Sequence, residues 1–570
     1  MTGKKPLAVT LGILLAATTA CSSSSSPKPA NSAASPQATA AGTASPQATA
    51  DAMSKKLEIS WVGQGARGKV EDNNKTQQML EKKFNVKLSN RKIDINNAEQ
   101  RNLMVASGEL PDYSYTLDDP SKLYRDGVTR SIPKEMIVKY APKYAALLDS
   151  YGTGFKVNQV PGKTGEVYAL TGYVDTTVNQ FWGQAYRLDW MEKLGIKPKG
   201  TVTPLGTAGG LERIYYTTEA FTVDEETKMY EAFVNQDPDG NGKKDTYGPM
   251  LDYEAPSNTQ ATLMGAYGFG LGQFVEEDGK LLNSAISNSY KDYLKHMADW
   301  YKKGIIDPEF TTLNLTKSWE KFATGKYGSA QSLHQSAALV SYTQTRPPGN
   351  LVLKDPSVKI LFAPPPIGPN GKQGAPTNGN GVDGFSYSAV IRKDVSDEKL
   401  IRILQMFDYI NMDFDGNMLT QFGEEGVDFT YEGTPKKSAA VLKKTDAERE
   451  AVGVSYYNHV MRPADRTPIW NDSITLKLFN AWWGVDAGRK TVYANARYDY
   501  FNETKYNELR AKYTAKLKTI TDEYMFKAIT GELNIDSTWD NYVKNYLDNG
   551  GKEVTAELEK APKTADLRKK

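Results

Sequence analysis

The sequence predicts an α/β protein of two lobes, on three observations: an opening strand-turn-helix-strand, alternating strand and helix signals after it, and a body too long for one core. Leu57-Glu58-Ile59-Ser60-Trp61-Val62 reads as the first strand and Gly63, Gly65 and Gly68 as a turn. Met79, Leu80 and Phe84 recur at helical spacing, and Val86 and Leu88 mark a second strand. This opening implies a largely parallel sheet. From Leu103 to Tyr113 the pattern is helix, Gly108 stop, Pro111, strand. Amphipathic helices are expected from Ile401 to Tyr409 and from Glu508 to Tyr524. The roughly 515 residues from Leu57 onward exceed what a single hydrophobic core usually supports.

Ahead of that body lies an export signal. Lys4 and Lys5 precede an apolar run from Leu7 to Ala17, too short for the ~30 Å of a bilayer core, and small residues lead to Cys21. Residues 1–20 are expected to be a signal peptide and Cys21 the lipidated, palmitate-bearing first residue of the mature chain; the usual Leu three positions before the cysteine is Thr18 here. The other reading is a free thiol in a disordered tail. Residues 21–56 are almost entirely Ser, Ala, Pro, Thr and Gln, and Ala34-Ser35-Pro36-Gln37-Ala38-Thr39-Ala40 recurs at 44–50. Such a segment buries too little apolar surface to offset its backbone entropy and is expected to act as a disordered tether. With a single cysteine in 570 residues, no disulfide staples the body.

Composition excludes several functions. Seventy basic and 68 acidic residues give a net charge of +2, with no basic stretch dense enough to follow a phosphate backbone, so nucleic acid is not an expected partner. The three histidines, His296, His334 and His459, lie far apart and lack metal-ligand spacing. The 33 Tyr and 9 Trp suit a protein that offers flat amphipathic surfaces, to which sugars present their apolar faces.

One segment has metal-ligand spacing. In residues 237–245, Asp237, Asp239, Asn241 and Asp245 occupy positions 1, 3, 5 and 9 of an EF-hand-like loop, Gly242 permits the turn at position 6, and the Lys243 carbonyl supplies position 7. Position 12, normally a bidentate Glu, is Gly248, so completion of a structural calcium site falls to Thr246, water or a carboxylate such as Asp252. The plain alternative is a polar turn without an ion.

Seven segments in order resemble the extracellular solute-binding proteins of bacterial carbohydrate ABC importers, family 1. They are Ala106-Ser107-Gly108-Glu109-Leu110-Pro111-Asp112; Asp126-Gly127-Val128-Thr129-Arg130-Ser131-Ile132-Pro133; Arg187-Leu188-Asp189-Trp190-Met191-Glu192-Lys193-Leu194-Gly195; residues 300–310 around Gly304-Ile305-Ile306-Asp307-Pro308; Phe322-Ala323-Thr324-Gly325-Lys326-Tyr327-Gly328; residues 364–372; and Ile529-Thr530-Gly531 with Trp539-Asp540-Asn541-Tyr542. The resemblance implies a periplasmic-binding-protein-like fold with a ligand cleft between two lobes: 57–178 with 326–410 as lobe I, 179–325 with 411–560 as lobe II, and 561–570 as a tail. It implies a lipid-anchored monomer on the extracellular face of the membrane that captures an oligosaccharide and hands it to permease subunits. Calcium binding in the loop at 237–245 is a feature of the same family.

By the same resemblance, ligand contacts are expected from Gln64 and Arg67 after the first strand; Tyr115, Asp118 and Asp119 after the next; Tyr253 and Glu254 before a helix start; Trp182 and Tyr186 near the hinge; and Trp482 and Trp483 late in the chain. Each aromatic has core packing as its alternative. Trp61 and Trp190 are assigned to the core. Arg67 is the expected partner of an acidic sugar through a bidentate contact. The ligand class implied is an oligosaccharide of two or more units, with pectin-derived fragments foremost. Two other functions use the same features: a secreted two-carboxylate glycoside hydrolase and a receptor subunit feeding a sugar-sensing kinase. The motif order and the tether favour the non-enzymatic binder.

Overall fold

In the computed structural model the described residues are 54–66, 70–174, 182–207, 210–252, 256–333, 347–374, 385–432, 438–441, 446–463, 465–466, 469, 478, 481–482 and 504–561. Residues 1–53, with the expected signal peptide, Cys21 and most of the expected tether, and residues 562–570 lie outside them.

The chain opens as its sequence predicts: β1 (Leu57–Val62), α1 (Lys75–Phe84), β2 (Val86–Asn90). α1 starts because the Asn74 side chain accepts from the Gln77 backbone N–H and stops where Asn85 turns left-handed. Its buried face is Thr76, Gln77, Leu80 and Phe84, whereas Met79, expected on that face, is exposed. Then follow α2 (Ala98–Ala106), β3 (Tyr113–Thr116), α3 (Pro120–Arg125), β4 (Thr129–Arg130), β5 (Leu170–Val174), β6 (Trp182–Arg187), β7 (Thr203–Pro204) and β8 (Ile214–Tyr216). α4 (Val223–Asn235) begins with a capping box of Thr222 and Glu225 and buries Val223, Glu226, Met229, Tyr230, Phe233 and Val234, a helical stripe. After it come β9 (Tyr247–Pro249), α5 (Ala261–Tyr267), α6 (Asn288–Lys302), β10 (Tyr327–Leu333), β11 (Ile360–Ala363), β12 (Phe385–Arg392), α7 (Asp397–Asn411), β13 (Met461–Arg462) and α8 (Thr504–Thr530).

These strands form two sheets. The first runs β13-β5-β12-β3-β1-β2, with β4 also on β12; the second runs β9-β10-β6-β11-β8-β7. In the first sheet every strand is parallel to β1 except β12, and in the second only β6 and the edge strand β7 oppose the rest. The reversed strands β6 and β12 are those by which the chain enters each sheet from the other. A crossing chain that leaves one sheet at its carboxyl edge and enters the next at the corresponding edge must run against its neighbours. The crossings after Val174, before Phe385 and after Arg462 all meet that edge.

The buried cores follow the sheets. One combines residues of 57–174 with residues of 385–461; the cores of the other sheet draw on 185–363 with 478 and 524–542. This corrects two expected assignments. β10 and β11 hydrogen-bond to β6, so these two strands do not join the first lobe, and β13 pairs with β5, so it does not join the second. Sequence signals locate strands, but membership of a sheet depends on distant partners. Trp61 and Trp190 are core residues as expected: Trp61 stacks on Tyr113 at 3.8 Å, and Trp190 meets Phe233 edge-on at 5.3 Å.

Candidate functional site

Ligands of open α/β sheets lie beyond the carboxyl ends of the strands. Here that edge consists of the turn after β1, the end of β3 and the start of β12 in one lobe, and of Trp182, Leu333 and Ala363 in the other.

In the first lobe, Gln64 follows β1, half-buried, with its backbone N–H donating to the Asn458 carbonyl at 2.7 Å. Arg67 lies outside the described residues. Tyr115 is buried, its ring between Tyr387 (6.5 Å, stacked) and His459 (5.4 Å, edge-on). It belongs to the wall of the lobe and exposes no face for stacking. Asp118 is claimed by Arg101, whose Nε reaches both carboxylate oxygens at 3.1 Å while its other arm donates to the Ile95 carbonyl at 2.8 Å. Sequence reasoning missed Arg101, because nothing in a lone Arg on a helix signals a partner 17 residues away. Asp119 caps α3, accepting from the Ser121 and Lys122 backbone N–H groups. Its signal was in the sequence, an Asp directly before Pro120 at a helix start.

In the second lobe, Trp182 is half-buried at the start of β6. Tyr186, expected at the ligand, is instead fully buried and donates its hydroxyl to Glu226 at 2.6 Å. The alternation of a strand decides this: Trp182, Gln184 and Tyr186 share one face, and along it burial deepens away from the edge. Glu226 also accepts from Tyr230 at 3.3 Å, and burial pushes its carboxyl up to about 7. Trp482 is half-buried; its indole N–H donates to the Thr217 carbonyl at 2.7 Å. Its six-membered ring lies on Gly183, where an added Cβ would stand 2.6 Å from Cη2. Glycine beside Trp182 thus seats a second tryptophan at the same edge. Tyr253, Glu254 and Trp483 lie outside the described residues.

The acidic loop is formed. Asp237 accepts from the Asn241 and Gly242 backbone N–H groups at 3.1 and 3.0 Å, and Asn241 Nδ2 donates to Asp239 and Asp245 at 2.7 and 3.0 Å. Lys243 N–H donates to Asn241 Oδ1 at 2.7 Å. The Gly242 N–H holds Asp237 below the usual carboxylate range, while burial and then the adjacent Asp237 raise Asp239. Lys326 pairs with Asp245, keeping its carboxyl low, and stands 3.6 Å from Asp239. Two carboxyls forced together, with further hard oxygens around them, fit a divalent cation, which would relieve their repulsion. Among the described residues no group of three or more His, Cys, Asp or Glu is arranged as a metal site. Thr246 is committed elsewhere, donating to the Phe233 carbonyl at 2.7 Å. The buried Asp252, the other expected ligand, donates its backbone N–H to the Thr259 hydroxyl at 3.1 Å.

Two mostly parallel sheets, joined at their carboxyl edges by crossing segments, give the two-lobed α/β fold that solved sugar-binding proteins of ABC importers share. Known relatives of the chain are ABC substrate-binding proteins. It is 25% identical over 391 residues to the polygalacturonan/rhamnogalacturonan-binding protein YtcQ of Bacillus subtilis (strain 168), covering 67% of this chain and 68% of that one. It is 28% identical over 249 residues, 41% of either chain, to the fructooligosaccharide ABC transporter substrate-binding protein FusA of Streptococcus pneumoniae. The solved complex of FusA with kestose superposes with a TM-score of 0.62 at 21% identity, covering 89% of this chain and 98% of that one. A FusA structure described as an EF-hand mutant gives 0.61 at 22% identity, covering 88% and 98%. The alginate-binding protein AlgQ2 without calcium ion gives 0.61 at 20% identity, covering 90% and 98%. No family model matches the sequence. Among the described residues no helix is long and apolar enough to cross a membrane.

Proposed function

We propose that this protein is the substrate-binding subunit of a carbohydrate ABC importer, capturing an oligosaccharide between its lobes and delivering it to permease subunits. The observation that carries this is a carboxyl sheet edge bearing two half-buried tryptophans, in a chain whose relatives are named for binding polygalacturonan, rhamnogalacturonan and fructooligosaccharide. Trp182 and Trp482 serve as platforms for sugar rings, and Gln64 as a polar contact opposite. The protein acts by binding and closure, without turnover; the relatives it matches are binding proteins, which favours this over a hydrolase.

The ligand is an oligosaccharide of two or more units, foremost a pectin-derived fragment, for which the similarity to YtcQ speaks. Arg67 pairs with a uronate carboxyl. Calcium held by Asp237, Asp239, Asn241, the Lys243 carbonyl and Asp245 stiffens the loop, a reading supported by a FusA form described as an EF-hand mutant. A lipid on Cys21 tethers the monomer to the outer face of the membrane.

The test is a thermal-shift screen with micromolar oligogalacturonides, rhamnogalacturonan oligosaccharides and kestose. A saturable rise in melting temperature with at least one of them is expected. A response only to peptides, metals or monosaccharides at those concentrations, or cleavage of any of the sugars, would overturn the proposal.

A further inference from the structure

The second lobe has an open cavity of about 420 Å³ between the end of α5, the outer side of α6 and the loop after β11. The loop is clamped down: a Cβ on Gly368 would stand 1.8 Å from the Ala266 carbonyl oxygen, and the Lys372 side chain lies along Gly268. The cavity is therefore preformed. Ala266, Tyr267 and Pro369 give it an apolar floor, while Asp292, Lys295, His296 and Asn370 bring polar groups to it.

His296 is wedged between Tyr267 (5.7 Å) and Trp300 (4.4 Å), and its Nε2 is buried with no hydrogen-bond partner among the described residues. A buried polar atom left unpaired is costly, and a small rotation of the ring toward the cavity would let a ligand hydroxyl pair it. Burial holds the imidazole neutral by pushing its pKa down to about 4. Lys295 is already neutralised by Asp536 at 2.6 Å, and Asp292 has no ion-pair partner among the described residues. Around the ring stand Asp292, Asp224 and Asp299 against Lys303 and Lys372, so the neighbourhood stays net negative and disfavours anions. Donors and acceptors around an apolar floor match a ring that has hydroxyls at its edge and C–H groups on its face.

We infer that this cavity is a second binding site, distinct from the interlobe cleft, for one neutral polyhydroxylated ring. It does not depend on the identity of the cleft ligand. Affinity is expected in the millimolar range, because the site is open and holds one ring.

The chain has only three histidines, so the imidazole resonance of His296 can be assigned by its loss in a His296→Gln variant. Titration of the full mature protein with glucose, galactose or rhamnose should shift that resonance saturably for at least one sugar. Glucuronate at the same concentration should leave it unmoved. His296→Leu should abolish the thermal-shift response to the same sugar; should that variant fail to fold, the exposed Asn370→Ala should weaken the response several-fold. No shift up to about 100 mM sugar, an equal shift with glucuronate, or a shift that disappears when the cleft is saturated with an oligosaccharide would overturn the inference.

Discussion

Replacing Glu226 by Gln should make the protein more stable at pH 8 and change it little at pH 4.5. The carboxyl is fully buried on α4 and accepts from the Tyr186 and Tyr230 hydroxyls, and burial raises it to about 7 from the ordinary 4.5. A group whose folded pKa is raised contributes stability that is complete below its unfolded value and lost as pH rises through the folded one. For Glu226 the loss falls between about pH 4.5 and 7. Each unit of pKa is worth about 1.4 kcal/mol, so the displacement costs the native protein about 3 kcal/mol once the carboxyl is ionised. Glutamine keeps a carbonyl oxygen for both tyrosines and cannot ionise. His296 and His459, pushed down to about 4 and about 3 by burial, work in the opposite sense: their contribution is present above pH 6.5 and lost on acidification. Because both forms share them, comparing wild type with Glu226→Gln removes their effect. Urea unfolding followed by tryptophan fluorescence at pH 5 and pH 8 measures the difference. A variant-minus-wild-type stability that stays constant across that range would refute the reasoning.

Replacing Asp237 and Asp239 together by Ala should abolish one bound calcium per chain, read by elemental analysis, and the wild-type melting temperature should fall on chelation while the variant's does not. With Gly248 at the twelfth position, the affinity should be weaker than that of cytosolic buffers, measured by calcium titration. Gly183→Ala places a methyl group 2.6 Å from the Trp482 ring and should displace it, weakening oligosaccharide binding by calorimetry more than it lowers the melting temperature. Cys21→Ser should release the mature protein into the medium, and full retention on the membrane would exclude a lipid as its anchor.

How much of this protein its sequence determined depends on the range of the interaction responsible. β1, α1 and β2 stand where alternation and helical spacing put them, because the pattern of a strand or helix is local. The helix expected at 508–524 exists and extends over 504–530, its ends being set by contacts the periodicity does not carry. The 237–245 loop was equally legible, since turn residues and side-chain oxygens act within nine positions. Asp119 was legible as a helix cap, a role decided by its neighbours Pro120 and Ser121.

Only the tertiary structure decided the rest. That β10 and β11 flank β6, and that β13 returns to β5, follows from pairing across hundreds of residues; no local signal distinguishes one sheet from the other. Tyr186 and Trp182 are equally good stacking candidates as letters, yet the first lies deep under its sheet, against a buried carboxyl, and the second lies at the edge. The claim of Arg101 on Asp118, the seat of Trp482 on Gly183 and the cavity around His296 arise where segments distant in sequence meet. A residue's chemistry is set by its type, but its burial and its partner are set by the fold, and these decide whether the side chain packs a core, caps a helix or meets a ligand.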